Sequence, residues 1–551
     1  MMPKFFYMIK NKEITKEQVA KDIIAGIIVA VIALPLSIAL GISSGVSPEK
    51  GILTAIFGGF IISFLGGSRV QIGGPTGAFV IIIYSIIQQY GLNGLITATI
   101  MAGILLVIMG LLKFGSLIKY IPQTITIGFT AGIAVTLMST QVKDLFGLQI
   151  NKVPAEFFEK WKSYLVNIGS LNAPSLIIGV LCIIIIVYWP KINKTIPGSM
   201  IALIVATISV KLLNLPVETI GSRFQEISSA IPVPLFPEFN IAIINKLFAP
   251  AMTIAILAAL ESLLSAVVAD GMISDTHDSN MELVAQGLAN ITCGLFGGIP
   301  ATGAIARTAA NVKSGGKSPI SGMVHAATLL ITMLMLMPLA KMIPMTALAA
   351  ILMVVSYNMS EWRAFKALFK APKSDVIVLL ITFICTVVFD LVVAISIGMI
   401  MAMFLFVKRV SDTTEIRDLV DEGVFDKNIA TVLEKADGKI HVYQVNGPMF
   451  FGVVQEFIAK MKELESSVEV VILDMRHTHA IDASAIDALA RLLKHCNKLN
   501  IRLCLTHVQE QPMKVLDRMG FVVKVGESNI YDTKTEAIEK AYDYVKNLEA
   551  S

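Results

Sequence analysis

The sequence predicts a polytopic α-helical membrane protein of fourteen spans, arranged as two inverted repeats of seven, followed by a small cytoplasmic α/β domain. Three observations carry that expectation: an apolar composition, two nearly matching glycine-proline interruptions, and a change of composition at Ser411. Of the 551 residues 55% are apolar and only 16% are charged, with a mean hydropathy of +0.73. Most of such a chain cannot be a globule with a polar surface. The net charge of +4 gives no reason to invoke nucleic acid. Five cysteines, Cys182, Cys293, Cys385, Cys496 and Cys504, stand singly, so neither a disulfide framework nor a zinc site is implied.

The interruptions are Gly73-Gly74-Pro75-Thr76-Gly77-Ala78 and Gly297-Gly298-Ile299-Pro300-Ala301-Thr302-Gly303-Ala304. Glycine and proline disfavour helix, so the backbone before each Thr-Gly-Ala is expected to be extended, with N–H and C=O groups that no helix satisfies. Lipid cannot satisfy them either. Irregular backbone at membrane depth is tolerated only where protein buries it or it lines a wet cavity, and one such break in each half points to a transport site. Thr76 and Thr302 lie 226 residues apart (302 minus 76), and the same offset carries Ala33-Leu34-Pro35 onto Ala259-Leu260-Glu261. One offset joining two matched points is the mark of an internal duplication.

Along the chain, a lysine-rich segment at 1–21 precedes a first span at about 22–42, too long for a signal peptide and broken by Pro35. Further spans read at about 50–66, 76–89, 95–112, 121–139, 175–189 and 198–213, with an amphipathic polar loop at 143–173. A proline-rich loop at 214–246 separates the halves. The second set reads at about 248–270, 281–296, 303–314, 319–338, 342–357, 374–390 and 391–407. With the amino end inside, cytoplasmic connections collect Arg69, Lys113, Lys119, Lys191, Lys194, Lys313, Lys317, Arg363, Lys366, Lys370, Lys373, Lys408 and Arg409. The external ones hold fewer: Lys50, Lys143, Lys152, Lys160, Lys162, Arg223, Lys246 and Lys341. That bias puts both ends in the cytoplasm, and an odd number of spans per repeat makes the repeats inverted.

From Ser411 the composition becomes that of a soluble domain, with 411–436 as a linker and 437–551 as the domain itself. Runs at 440–445, 468–473 and 501–506 read as strands, and 453–464, 484–496, 511–519 and 535–548 have helical periodicity. In the loop after the second strand, Asp482 and Ser484 stand where a helix begins, so capping is their plain role.

Taken together, the motifs resemble the sulfate permease (SulP) family, bacterial relatives of the prestin and pendrin type anion carriers. The residues that carry the resemblance are Leu34-Pro35-Leu36-Ser37, Gly73 to Ala78, Leu260 to Asp270, Gly297 to Thr308, and in the tail Asp474 and Ile481-Asp482-Ala483-Ser484 of a STAS domain. The resemblance implies a UraA-like fold with a core (spans 1–4 and 8–11) and a gate (spans 5–7 and 12–14), a homodimer in the cell inner membrane, and alternating access of the elevator kind. It also implies a sulfate, bicarbonate or dicarboxylate substrate coupled to Na+ or H+, a bound Na+ being the only cofactor. Many sulfate carriers have glutamine where Leu36 stands, and sodium-coupled bicarbonate carriers can have aspartate and threonine at Glu261 and Ser265. Ser484 matches a phosphorylatable serine, but Ala485 replaces the glycine that follows it. A cytoplasmic regulator of the STAS domain is a further expected partner.

The residues themselves also argue for an anion site. Two helices that start near mid-membrane turn free N–H groups and roughly half a positive charge each toward one point. Thr76 and Thr302 are expected as caps, and Gly77, Ala78, Gly303 and Ala304 leave the backbone donors open. Ile305, Ala306 and Arg307 follow on the second half-helix, and with Leu36 and Leu40 of the first span they are expected to line the anion site. Arg307 adds a full charge, whose plainer role is to pair with a carboxylate. Glu261 reads as the only carboxylate within an uncharged apolar span, able to take a proton or to hold a cation with Ser265 and Gly303. Otherwise it pairs with Arg307. His277, His477 and His479 are expected to be exposed loop residues. Other functional classes fit less well: a passive channel or exchanger should conduct or swap anions without a cation, nucleobase carriers of this fold generally lack a STAS tail, and a membrane-anchored STAS regulator has no use for broken helices. None of these is an enzyme.

Overall fold

In the computed structural model all residues are described except 117–120, 194–195, 225–226, 238–240, 390, 421–422, 424, 452–466 and 551. The chain divides into two compact units, Met1–Met399 and Ile400–Ser551. Among the described residues eight helices are long and apolar enough to cross a membrane: Lys16–Ser43, Pro48–Leu65, Gly77–Leu111, Gln123–Phe146, Ala173–Ile192, Ile243–Ile273, Ile320–Ala340 and Val393–Asp412. Shorter helices lie between them, among them Gly198–Leu212, Ser279–Leu295, Ile305–Lys313, Met345–Met359 and Lys373–Val388.

Gly91, at φ 68° and ψ −172°, breaks the Gly77–Leu111 stretch into two helices, within the gap expected between spans at 89 and 95. Only glycine adopts that backbone without strain. The second of these helices crosses Ser279–Leu295 at Gly103 and Gly287, where a Cβ on either would strike the carbonyl of the other; such small-residue crossings let membrane helices approach closely. The Pro48–Leu65 helix contains a π turn at Thr54–Gly58, which the sequence did not announce. Lys119 and Lys194 of the charge count lie outside the described residues.

The loop after Phe146 forms the amphipathic helix Phe157–Val166. Its Tyr164 hydroxyl donates to the Ser139 carbonyl at 3.0 Å, and Lys160 is buried at 4% exposure. Burial pushes the Lys160 ammonium from 10.5 down to about 8. Below pH 8 the folded and unfolded states are both protonated, and the fold bears the full cost of a desolvated charge, about 3 kcal/mol. That cost falls as pH rises from about 8 to 10.5, because only the folded state sheds its proton there. Lys160→Met is therefore expected to raise the melting temperature most below pH 8 and progressively less toward pH 10.5. A gain independent of pH would contradict this.

The first unit holds two short strands, β1 (Gly73–Gly74) and β2 (Thr302–Gly303); the second carries a five-stranded sheet of β3 (Glu415–Asp418), β4 (Ile440–Asn446), β5 (Val470–His477), β6 (Arg502–Thr506) and β7 (Ile530–Tyr531), in that order. β3 is antiparallel to β4 and the remaining pairs are parallel. Alternate residues of β5 serve opposite faces: Val471 and Leu473 pack with Leu489 and Leu492, while Val470 and Ile472 pack with Ile538 and Ala541. A parallel sheet covered on both faces reads as a continuous apolar run, as Val470–Leu473 does. The expected linker 411–436 supplies β3 and the helix Lys427–Lys435, so ordered structure begins earlier than its composition suggested. The helix expected at 453–464 lies outside the described residues.

Candidate functional site

The two interruptions meet as a two-stranded antiparallel sheet, β1 (Gly73–Gly74) and β2 (Thr302–Gly303), with Gly73 facing Gly303 and Gly74 facing Thr302. Thr76 and Ala304 have extended backbone, and helices start immediately beyond, at Gly77 and Ile305. Each break is held mainly by groups from the opposite half of the chain. Val70 O accepts from Asn311 Nδ2 at 2.9 Å, Ile72 N donates to Thr308 Oγ1 at 3.0 Å, and Ile72 O accepts from Ala304 N at 2.9 Å. In the second break, Gly297 O accepts from Lys50 Nζ at 3.2 Å and Ile299 N donates to Thr54 Oγ1 at 2.7 Å. Asn290, from its own half, exchanges two hydrogen bonds with Ala301, at 2.9 and 2.8 Å. This accounting is what buried irregular backbone requires.

Arg307 is 2% exposed. Its two terminal nitrogens donate to the carbonyls of Gly73, at 3.4 Å, and Pro75, while Nε has no partner among the described residues. A side chain on Gly74, whose φ is +147°, would run into this guanidinium. The guanidinium therefore braces the first break. No carboxylate lies within ion-pair distance of it among the described residues; Glu261 is near enough to attract its charge without contact, and the guanidinium lies next to two helix starts. The expected alternative, an ion pair with Glu261, is not what the geometry gives. Glu261 Oε2 instead accepts from Thr76 Oγ1 at 2.8 Å.

That bond also corrects the expected caps. Thr76 stands at the N-cap but bonds no backbone N–H of its helix, and Thr302 sends its hydroxyl to the Ala258 carbonyl at 3.1 Å, Ala304 being the N-cap of its helix. The first-turn N–H groups of both helices thus lack a side-chain cap and have no intrahelical acceptor. Ile305 is 39% exposed and Ala306 is also exposed, whereas Gly77, Ala78, Gly303 and Ala304 are buried. A Cβ on Gly303 would overlap the Gln71 amide, which itself donates to Ser262 O at 3.1 Å. Ser265 lies one helical turn beyond Glu261, yet its hydroxyl bonds Thr308 at 3.3 Å rather than the carboxylate. Leu40 is buried in an apolar cluster with Ile56, Val80 and Leu137, and Leu36 packs against it; these two supply wall rather than polar contacts.

Glu261 is not alone among carboxylates of the apolar helices. Asp22 and Glu282 are fully buried. Asp22 accepts from Lys317 N at 2.7 Å and Gln18 Nε2 at 3.0 Å, and Glu282 accepts from Gly67 N at 2.8 Å and Gln286 Nε2 at 2.9 Å. Both tie loops to helix ends, whereas Glu261 has a single hydroxyl donor among the described residues. His277 is likewise not an exposed loop residue: it bonds Asp270 at 2.7 Å and Ser279 at 2.8 Å with its ring 7% exposed. His477 and His479 are exposed as expected. Thr54, Asn290 and Asn311 went unremarked in the sequence, and no role was assigned there to Thr308, although each makes a buried hydrogen bond at the breaks. In the second unit Asp482, not Ser484, caps its helix by accepting from Ala485 N at 2.9 Å.

A helical membrane unit with two broken helices joined at a positively charged point, followed by an α/β domain, defines a transporter of the SLC26 fold. The chain belongs to the sulfate permease family: that family's pattern matches residues 19–382, and the STAS domain matches 432–537. It is thus an anion transporter, not an enzyme. The chain is similar to the Putative sulfate transporter YvdB of Bacillus subtilis (strain 168), at 38% identity over 94% of this chain and 97% of that one. Among solved structures it resembles the transmembrane domain of a cyanobacterium bicarbonate transporter BicA, at TM-score 0.63 and 28% identity, covering 70% of this chain and 98% of that one. It also shares its fold with the murine Solute Carrier 26 family member A9 anion transporter in the inward-facing state, at TM-score 0.84 and 18% identity, over 98% of this chain and 94% of that one.

Proposed function

We propose that this protein is a secondary active transporter that carries sulfate or bicarbonate, with a dicarboxylate as the third candidate, together with Na+ or H+. The observation that carries the reading is Arg307, buried without a carboxylate partner among the described residues where two uncapped helix starts converge. Three partial or full positive charges at one point attract an anion. Names of relatives at 38% and 28% identity supply the first two candidates. Glu261, whose carboxylate accepts from Thr76 Oγ1, is the cation-coupling group, together with Ser265 and Gly303.

In this reading the chain has fourteen spans in a transport domain at 22–410 and cytoplasmic ends in the inner membrane, and functions as a homodimer. The strand register supports inverted repeats. At the 226-residue offset (302 minus 76), Thr302 is the counterpart of Thr76 and Gly303 of Gly77, so the pairs Gly74–Thr302 and Gly73–Gly303 are centred on Pro75 and its counterpart Ala301. This register is compatible with a twofold axis at that point. The core then moves past the gate with the anion, exposing the junction to each side in turn.

The test is uptake by purified protein in liposomes, with labelled sulfate, bicarbonate and dicarboxylates under separate Na+ and H+ gradients. Accumulation of one anion driven by one cation gradient is expected. Unitary current without accumulation, or anion-for-anion exchange alone, would replace this reading by a channel or exchanger. For the STAS domain we propose regulation through Ser484, which is half-buried and leaves capping to Asp482. Ser484→Asp, adding charge to the first helical turn, is expected to change transport in cells while Ser484→Ala blocks that regulation; unchanged transport in both would remove the idea.

A further inference from the structure

We propose that the first helix, Lys4–Lys10, and the turn after it form an interfacial anchor that binds anionic phospholipid headgroups. At its start the helix is tied to the first unit by polar contacts, Lys4 N donating to Gly66 O at 2.9 Å and Lys4 Nζ pairing with Asp275 at 3.2 Å and donating to Thr276 O at 2.8 Å, and farther along Met8 is buried. Phe5 and Phe6 pack against Phe64, tilted and edge-on, at 5.6 and 5.3 Å between ring centroids, and Phe64 stacks on Phe60 at 5.7 Å. Phe60 is 40% exposed on the apolar helix Pro48–Leu65, so this aromatic row continues directly into surface that hydrocarbon covers.

Beyond that row the segment leaves Met1, Met2, Phe6, Tyr7 and Ile9 exposed, apolar side chains that a lipid interface would cover. Lys10, Lys12 and Lys16 flank it. All three are exposed, and none has an ion-pair partner among the described residues. The acidic neighbours are already engaged: Glu13 with Arg69 at 2.7 Å and Glu17 with Lys21 at 2.7 Å. An exposed apolar face bordered by unpaired lysines, at the end of a lipid-facing aromatic row, matches the chemistry of an acidic lipid surface.

The experiment uses the full chain. All five native cysteines are buried, so Ile9→Cys can be labelled alone with a polarity-sensitive fluorophore. The protein is then placed in phosphatidylcholine, or in phosphatidylcholine mixed with phosphatidylglycerol, and quenched by a shallow lipid-borne quencher or by aqueous iodide. Lipid quenching that strengthens with phosphatidylglycerol is expected, together with protection from iodide. Lys10→Gln, Lys12→Gln and Lys16→Gln should each weaken the phosphatidylglycerol preference about fivefold. Full iodide access in both lipids, or lipid contact equal in both lipids and indifferent to the lysines, would overturn the proposal. A melting temperature equal to that of the parent chain shows that each variant is folded when it is read.

Discussion

Glu261→Gln protein is expected to fold, to bind the anion, and to fail to accumulate it. The amide keeps the size of the side chain, and its oxygen can still accept from Thr76 Oγ1, the bond seen at 2.8 Å. What disappears is the charge that a cation or proton neutralises. Moving one uncompensated negative charge inward against 100 mV costs about 2.3 kcal/mol, so losing one co-transported cation lowers the attainable accumulation about fiftyfold. Because Glu261 and Arg307 form no ion pair, removing both should not restore stability relative to Arg307 variants alone. Cation-driven accumulation equal to wild type in Glu261→Gln would end the coupling hypothesis, and rescue in the double variant would mean that the two pair in another state of the cycle.

The second large effect is expected at Arg307. Arg307→Met removes the donors of Gly73 O and Pro75 O, and each buried carbonyl left without a partner costs about 1–3 kcal/mol. The same change removes the full positive charge that Arg307 places at the junction, so anion affinity should fall well over tenfold. Arg307→Lys separates the two roles. An ammonium keeps the charge but lacks the planar fork that spans two carbonyls, so it should recover much of the affinity and little of the melting temperature. Affinity lost in step with stability in both variants would make Arg307 a brace and nothing more.

Why the junction could be anticipated, and its partners could not, follows from where the information lies. Gly73-Gly74-Pro75 and Gly297-Gly298-Ile299-Pro300 break helices through local backbone preference, which survives in the sequence without tertiary context. The choice of Thr76 hydroxyl between its own helix and Glu261 does not, since the two residues are 185 apart in sequence. The same holds for Thr54 with Ile299, 245 residues apart, and for Glu282 with Gly67, 215 apart. Asp22 and Glu282 seemed unremarkable at the edges of apolar runs, and only the fold shows that loop N–H groups hold them buried. β3 escaped notice because its four residues, Glu415–Asp418, are too few for an alternation to register and mostly polar. The run at 468–473, by contrast, was legible as a strand because it is apolar at every position but Glu469.

The central claim is that the transported anion sits at the β1–β2 junction, against the first turns of the helices that begin at Gly77 and Ile305. Ala306→Cys tests it most directly, because position 306 is exposed and the native cysteines are buried. The rate at which a charged thiol reagent modifies that cysteine is measured with and without the anion that the liposomes accumulate. The account predicts slowing that saturates at the concentration that half-saturates uptake. A modification rate unchanged by saturating anion would place the anion elsewhere.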